Sequence, residues 1–355
     1  MLTDSGRLVW TIDGYTTARL HPYARGVNVP GVGYVNYMRN AVKATVDAYD
    51  GTTNIYIFDP ADPVIRAYQR LFPQLLRPAS EMPPELRFHA RYPETFFRVQ
   101  AEIYRTYHML DPQAFYNKED VWDIARNIQG QGGQPQTVAP TYVVATVPGE
   151  EEPEFLLILP FTPRNKDNMI GLMVARCDGE HLGELLFLQL SKQELIYGPM
   201  QIEARVNQDQ IISKDLTLWN QQGSQVLRGQ MLVLPMGQTF LYVEPLYIQA
   251  SEARMPQLRK VVMAMGNHLI YTDTYQEAVA QLDAIMKGAA IQAAEAARAA
   301  PAPVKAELAT PPPSADARLE AIRNHFRRYR ELAAQGRWAE AGRELEAIEA
   351  ELSKR

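Results

Sequence analysis

The 355-residue chain contains a single cysteine, Cys177, which excludes an internal disulfide and a thiolate-rich metal site. It has no excess of basic residues: 36 Lys and Arg stand against 41 Asp and Glu, a net charge of −5. This balance argues against general nucleic-acid binding, which needs a basic surface. No uncharged stretch supplies the roughly 20 mostly apolar residues of a membrane-spanning helix, and residues 1–20 lack a signal peptide's apolar run. We therefore expect the chain by itself to be soluble.

Familiar catalytic and cofactor motifs are also missing from the sequence. It contains no phosphate-binding G-x-x-x-x-G-K-[ST] loop, no H-E-x-x-H and no G-x-S-x-G. The six histidines are scattered without metal-ligand spacing. No cofactor, catalytic residue or nucleic-acid partner is therefore predicted.

Residues 1–136 are predicted to form a mixed α/β domain. Asp62-Pro63 is a typical helix start, because Asp caps free N–H groups and Pro suits the first helical position. Apolar residues from Tyr37 to Tyr49 recur at helical spacing. The predicted strands are Arg7–Thr17 and Thr53–Asp59, and the predicted helices are Tyr37–Tyr49, one beginning at Asp62-Pro63, Pro93–Met109, one beginning at Asp111-Pro112, and Glu119–Asn127. Strand, helix and strand in this order indicate an α/β-like layer.

Residues 137–287 are predicted to form a sheet-rich α+β domain. Several strands are almost entirely apolar, which predicts burial on both faces. The capping-box pattern Thr274-x-x-Glu277 predicts a closing helix. The predicted strands are Thr141–Val147, Glu154–Phe161, Met169–Cys177, Glu184–Leu190, Ser224–Leu234, Thr239–Gln249 and Leu258–Met265, with a short helix at Gln210–Gln222.

The end of the chain has a different composition. Residues 288–315 are rich in Ala and Pro and are typical of a linker whose start extends the preceding helix. Residues 316–355 carry two apolar stripes separated by Gly336, which predicts a helical hairpin. Two helices cannot bury both stripes alone, so we expect the hairpin to dock on the body, on a copy of itself or on another protein. The fold class is α+β.

Four groups of polar residues are candidate sites. Asp13, Tyr15 and Thr17 lie close together at a predicted strand end, where ligands often bind, although a turn with a capping Asp is the favoured explanation. The polar loop Arg164, Asn165, Lys166, Asp167 and Asn168 lies between two apolar strands and suits an anion, or is a solvated connection. Trp219 stands beside amides and could stack a sugar ring or a base, or be buried. Asp47, Asp50, Asp59 and Asp62 are weak metal candidates, since their spacing matches no calcium loop.

Several long strings resemble a known family. They include Trp10–Thr17 (WTIDGYTT), Asp59–Phe72 (DPADPVIRAYQRLF), Leu159–Cys177 (LPFTPRNKDNMIGLMVARC) and Leu216–Ser224 (LTLWNQQGS). The chain resembles the bacterial uncharacterised protein family numbered 0182 in the UPF series over about residues 8–287. The resemblance implies a large membrane protein whose N-terminal membrane helices are absent here and whose soluble region faces outside the cytoplasmic membrane. It implies no activity, cofactor or catalytic residue.

Two classes of function follow. The first is an interaction or scaffolding region of a cell-envelope membrane protein, with a protein partner or self-association through the helical tail and membrane attachment through the absent N-terminal segment. The alternative is an envelope enzyme acting on a glycan, lipid or peptide, or else a ligand- or metal-sensing domain. The enzyme hypothesis gains support if Asp13–Thr17 and Arg164–Asn168 converge in one cleft with a carboxyl group of raised pKa.

Overall fold

The computed structural model describes residues 1–130, 133–191, 195–221, 223–237, 239–250 and 255–299, with 325–330, 332, 343, 344 and 347. The chain forms two compact units, Met1–Met286 and Lys287–Arg355. The strands are β1 Val9–Ala18, β2 Val27–Val29, β3 Gly33–Val35, β4 Tyr37–Asp47, β5 Thr53–Ile57, β6 Leu76–Pro78, β7 Trp122–Ile124, β8 Arg126–Ile128, β9 Pro135–Thr137, β10 Thr141–Thr146, β11 Pro153–Pro163, β12 Gly171–Arg176, β13 Leu185–Gln189, β14 Ser224–Arg228, β15 Leu232–Met236, β16 Thr239–Ala250, β17 Pro256–Met265 and β18 His268–Thr272. The helices are α1 Pro63–Leu71, α2 Pro84–Arg87, α3 Glu94–Tyr107, α4 Pro112–Asn117, α5 Pro199–Gln208, α6 Gln210–Trp219 and α7 Tyr275–Ala299. This mixture of helices and sheets confirms the α+β class.

Three larger sheets organise the first unit. The first has the order β1-β4-β5-β6, antiparallel except for the parallel pair β5 and β6, which α1 connects. The second has the order β10-β11-β12-β13, with β7 paired to the end of β11. The third has the order β14-β16-β17-β18, with β15 also paired to β16. Antiparallel neighbours with short connections explain why turn residues separate the predicted strands so regularly.

Strand β11 lies between two hydrophobic clusters, as the predicted burial on both faces requires. Leu157, Leu159 and Phe161 belong to a cluster that includes Phe97 of α3. The alternate residues Leu156 and Ile158 belong to a second cluster formed with α5, α6 and the third sheet. Because side chains alternate across a strand, one apolar run supplies both clusters. All six residues of β12 are buried as well.

The helix predicted over Tyr37–Tyr49 is wrong, because this segment forms strand β4. It pairs with β1 on one side and β5 on the other, and Ala41, Lys43 and Thr45 are buried at every second position. The alternation of buried and exposed residues along β4 is hard to recognise in the sequence, because a charged residue such as Lys43 normally indicates an exposed position. Central pairing on both sides overrides the helical spacing of the apolar residues.

Further elements differ from the prediction. The helix predicted over Glu119–Asn127 is wrong: β7 pairs with β11 and β8 pairs with β9. The single strand predicted over Ser224–Leu234 is two strands, β14 and β15. They separate at Gly229, whose N–H donates to the carbonyl of Pro245 at 2.8 Å and whose absent Cβ would lie 2.5 Å from the Pro245 ring. Helix α5 was not predicted.

Helix starts follow the sequence signals closely. The carboxylate of Asp62 accepts from the N–H groups of Val64 and Ile65 at 3.2 and 3.1 Å, which caps α1. Asp111 caps α4 in the same way. At α7, the hydroxyl of Thr274 accepts from the N–H of Glu277 at 3.2 Å, as the capping-box pattern predicts. These side chains satisfy N–H groups that have no partner inside the helix.

The predicted hairpin over 316–355 falls almost entirely outside the described residues. Within them, 325–330 is helical, Phe326 stacks on Tyr329, and Nδ1 of His325 lies 2.7 Å from Oε2 of Glu344. The Ala-rich start of the predicted linker belongs to α7, which runs to Ala299. Across the described ranges, no helix combines the length and apolarity required to cross a bilayer.

Candidate functional site

One candidate site is a cavity of about 580 Å³ beside strand β1, hereafter the β1 cleft. It is lined by Trp10, Thr11 and Asp13 of β1, Lys43 of β4, the segment 88–91 between α2 and α3, and Val144, Pro153, Phe155 and Asp178 from the region of the second sheet. The cleft thus lies where the first and second sheets meet. Concave surfaces of this size are the usual places for ligands and extended peptides.

A buried lysine holds the base of the β1 cleft together. The side chain of Lys43 is 3% exposed, and its Nζ donates to Asp13 Oδ1 at 2.5 Å, Asn40 Oδ1 at 3.1 Å and the carbonyl of Arg91 at 2.8 Å. Three acceptors match the three donors of an ammonium group. Lys43 therefore joins β1, β4 and the segment before α3, and is fully engaged in structural hydrogen bonds.

The rim of the β1 cleft is apolar and open to solvent. Trp10, Phe88 and Val144 are 66%, 80% and 68% exposed although all three are large apolar side chains. Scattered exposed apolar residues are ordinary, but a group of them around one cavity is typical of an interaction surface. The rim therefore favours binding of a partly apolar molecule.

The cationic side chain of Arg91 lines the β1 cleft and is supported by an aromatic ring. The guanidinium of Arg91 lies 4.6 Å from the ring centroid of Tyr142, a cation–π contact. The hydroxyl of Tyr142 donates to the carbonyl of Tyr92 at 2.6 Å, and burial raises the pKa of Tyr142. The ring of Tyr142 is therefore a fixed support for Arg91, whose charge remains at the cleft.

A second cavity of about 570 Å³ shares Lys43 and Arg91 with the β1 cleft. Arg39 lines it and forms an ion pair with Asp59 at 2.6 Å. Arg87 and the aromatic residue Phe58 lie on the same lining. The two cavities therefore adjoin at the Lys43–Arg91 contact.

The lone cysteine is not an accessible nucleophile. Cys177 is 2% exposed, and its sulfur accepts from the N–H of Tyr92 at 3.5 Å. Burial raises the pKa of the Cys177 thiol, which keeps it in the unreactive protonated form. Its position in the cluster around Phe97 is that of a small core residue.

Only part of the predicted site at 13–17 meets the cleft. Asp13 lines it and pairs with Lys43. Tyr15 is half-buried, its ring packs 6.4 Å from that of Phe96, and burial together with Asp13 raises its pKa to about 12. Thr17 is exposed further along β1. The three residues are spread along a strand that contains a bulge after Gly14.

The predicted polar loop 164–168 lies elsewhere. Arg164, Asn165, Lys166 and Asp167 are exposed, Asn168 is half-buried, and none of the five lines the β1 cleft. Asn165 has a left-handed φ of 60°. The loop packs closely on the start of α5, since a Cβ on Gly198 would lie 1.8 Å from the carbonyl oxygen of Asp167. No bond, ion pair or cavity described in residues 1–286 joins this loop to Asp13.

The remaining predicted residues have ordinary partners. The guanidinium of Arg259 lies 5.9 Å from the half-buried ring of Trp219, at the end of α6. Arg7 binds Asp47 at 2.7 Å and Asp50 at 2.9 Å, and this pairing lowers the pKa of Asp47 to about 2. Asp59 pairs with Arg39, and Asp62 caps α1 while accepting from the Tyr37 hydroxyl. Among the described residues, no group of three or more His, Cys, Asp and Glu side chains is arranged to hold a metal.

Sequence reasoning missed a buried carboxylate pair. Glu203 of α5 and Glu244 of β16 are each about 1% exposed and both bind Nη1 of Arg228, with a separation of 3.3 Å for Glu244. Nη2 of Arg228 donates to Asn207 at 2.5 Å. Burial raises the pKa of Glu244 to about 7, opposed by Arg228. The available signal was a single carboxylate inside the apolar run of β16, where only a paired or protonated group is stable.

Comparisons with known proteins give the family. The sequence profile described as "Uncharacterised protein family (UPF0182)" matches residues 1–219. A UPF0182 protein of Solibacter usitatus is 68% identical over 350 residues, which are 99% of this chain and 38% of that protein. UPF0182 proteins of Methanospirillum hungatei and Geobacter sulfurreducens are 49% and 44% identical over 79% and 98% of this chain, or 31% and 37% of their own lengths. The chain thus spans less than two fifths of these relatives, and no solved structure matches it. This chain belongs to the uncharacterised protein family UPF0182.

Proposed function

We propose that this chain is the partner-binding portion, facing outside the cytoplasmic membrane, of a cell-envelope membrane protein. The observation that carries the proposal is the exposed apolar rim of the β1 cleft, formed by Trp10, Phe88 and Val144. Burying one large apolar side chain contributes about 1.5–3 kcal/mol. A partner that covers the rim therefore gains binding free energy from removing these side chains from water, and part of this gain is offset by the entropy lost on association.

The polar groups of the β1 cleft support binding in preference to group transfer. Lys43 uses its three donors within the protein, and the thiol of Cys177 is buried. Asp13 accepts from Lys43. Side chains that are held by structural partners provide shape and charge for a ligand without acting as an activated nucleophile.

The location is tested by cysteine labelling in intact cells that make the full-length protein. Tyr116 is 84% exposed, while Cys177 is buried and gives little background. We expect a Tyr116→Cys variant to react with a membrane-impermeant maleimide in intact cells. Reaction only after lysis would place the region in the cytoplasm and refute this part of the proposal.

The binding surface is tested by site-specific photo-crosslinking in the same cells. A benzophenone side chain at position 10 or 88 is expected to give a discrete crosslinked product. Tyr116 is the matched control because its ring is as exposed as that of Phe88 but does not line the β1 cleft. Equal crosslinking at all three positions, or none at the two cleft positions, would count against a partner surface there.

A further inference from the structure

The cavity that adjoins the β1 cleft, hereafter the arginine cavity, is built by separate segments of the first unit. Its walls come from β4, from Phe58 and Asp59 after β5, from residues between 79 and 100, and from residues 179–185 between β12 and the start of β13. Every residue of its lining lies between positions 39 and 185. Its volume of about 570 Å³ is in the usual range for small-molecule sites.

Most charged groups of the arginine cavity are held by partners within the protein. Arg39 pairs with Asp59 at 2.6 Å, and Lys43 has the three acceptors described above. Glu184 lies 3.4 Å from the buried guanidinium of Arg176. These groups neutralise one another and leave no uncompensated charge for a ligand.

Two arginines of the lining remain unpaired. Among the described residues, no carboxylate lies within ion-pair distance of Arg87 or Arg91, and neither guanidinium donates a hydrogen bond to them. Arg91 lies over the ring of Tyr142, an arrangement that fixes the plane of the guanidinium and leaves the N–H donors at its edge available. Glu180 is the acidic residue of the lining that has no ion pair in the described part of the chain. Two guanidinium groups against one carboxylate leave a positive charge, which attracts an anion.

The rest of the lining suits the body of a small polar molecule. The amide of Gln100 is half-buried, forms no hydrogen bond to a described residue, and can both donate to and accept from a hydroxyl group. Half-buried Phe58 and buried Phe96 supply aromatic surface, and Leu182 supplies aliphatic surface. Apolar walls with a few polar groups that fix orientation are typical of sites for small molecules.

We propose that the arginine cavity binds a phosphomonoester of a small hydroxylated molecule, such as a sugar phosphate. The phosphoryl group pairs with Arg87 and Arg91, and the hydroxylated body contacts Gln100 and Phe58. A phosphoryl group carries nearly two negative charges and three acceptor oxygens, which match two planar guanidinium groups, whereas a single carboxylate neutralises only one. None of the three rim residues of the β1 cleft lines this cavity, so the inference does not depend on the partner-binding function.

The test is calorimetric titration of the purified chain with glucose phosphate, inorganic phosphate and glucose. We expect glucose phosphate to bind, inorganic phosphate to bind about tenfold more weakly because it lacks the body, and glucose not to bind detectably. Arg87→Gln and Arg91→Gln should each weaken binding of glucose phosphate about tenfold or more. Arg66→Gln is the matched control, since Arg66 of α1 is exposed and outside the lining, and should bind within about twofold.

A second measurement uses the wild-type protein alone. Added potassium chloride should weaken binding of glucose phosphate, because salt screens the charge pairing. Titration with glycerol phosphate and cosedimentation with phosphatidylcholine vesicles that contain phosphatidic acid distinguish the two sources of the same chemistry. Binding of the dissolved ester assigns a free ligand, and binding confined to the vesicles assigns a lipid headgroup.

Several results would refute a phosphomonoester site. They are no binding of the dissolved or the vesicle-bound ester, equal binding of glucose phosphate with glucose or with inorganic phosphate, an affinity that salt does not change, full affinity in Arg87→Gln or Arg91→Gln, or an equal loss in Arg66→Gln. Crosslinking at positions 10 and 88 in cells would be unaffected by any of these results, so the two proposals fail separately.

Discussion

The pair formed by Glu203 and Glu244 makes stability depend on pH in a predictable direction. Two buried carboxylates share the guanidinium of Arg228, so full ionisation leaves one negative charge without compensation. Burial raises the pKa of Glu244 from 4.5 to about 7. The folded protein therefore holds a proton that the unfolded chain releases at lower pH. The stabilising contribution of this proton is complete below about pH 4.5 and is lost as the pH rises through 7.

The magnitude follows from the size of the shift. One pKa unit corresponds to about 1.36 kcal/mol, so the rise from 4.5 to about 7 corresponds to about 3 kcal/mol of unfolding free energy. Glu244→Gln keeps the shape, cannot ionise, and leaves one carboxylate for one guanidinium. The variant should therefore gain about 3 kcal/mol relative to the wild type between pH 4.5 and pH 8.

The assay is urea unfolding of both proteins at several pH values from 4.5 to 8. The difference between their free energies of unfolding reports the titration of the Glu203–Glu244 pair, because groups away from the pair titrate in both proteins. Glu151→Gln is the control, since Glu151 lies in an exposed turn and its replacement should change the free energy of unfolding little. A difference between Glu244→Gln and wild type that stays constant with pH would refute the buried, proton-holding pair.

Two further predictions concern backbone packing and helix capping. Gly198→Ala should lower the free energy of unfolding by about 1–3 kcal/mol, because the added Cβ would clash with the carbonyl oxygen of Asp167. Gly288→Ala is the control and should stabilise the protein slightly, because no atom lies near that position in α7. Thermal melting that shows equal effects of the two substitutions would contradict this reasoning. Asp62→Ala should lower the free energy of unfolding in urea by about 1–2 kcal/mol, because it removes the α1 cap and the acceptor for the Tyr37 hydroxyl. Asp111→Ala removes only an exposed cap and should lower it less. The reverse order would contradict this reasoning.

Sequence patterns were sufficient where local chemistry decides the structure. Helix starts at Asp62 and Asp111 were correct, because capping needs only the adjacent N–H groups. The apolar strands β11 and β12 were correct, because burial on both faces leaves no other composition. Strand β4 was missed because Lys43 can be buried only through its ion pair with Asp13, a residue 30 positions away. The sequence contains no local sign of that partner.

The candidate site was also only partly predictable, because its residues come from distant parts of the sequence. Asp13 was singled out as a strand-end residue, yet its partners Lys43 and Arg91 come from other elements. The cleft rim combines Trp10, Phe88 and Val144, which no spacing in the sequence connects. Pairing partners and shared cavities depend on tertiary packing, which propensity and periodicity do not encode.

The position of β11 between two hydrophobic clusters has a consequence for the order in which the molecule opens. Leu156 and Leu157 are neighbours in sequence but lie in different clusters. To expose the amides of this strand, both clusters must separate at once, whereas edge strand β1 is released by opening one side. Hydrogen exchange should therefore be slowest at β11, with protection approaching the global free energy of unfolding, and much faster at those amides of β1 that do not pair with β4.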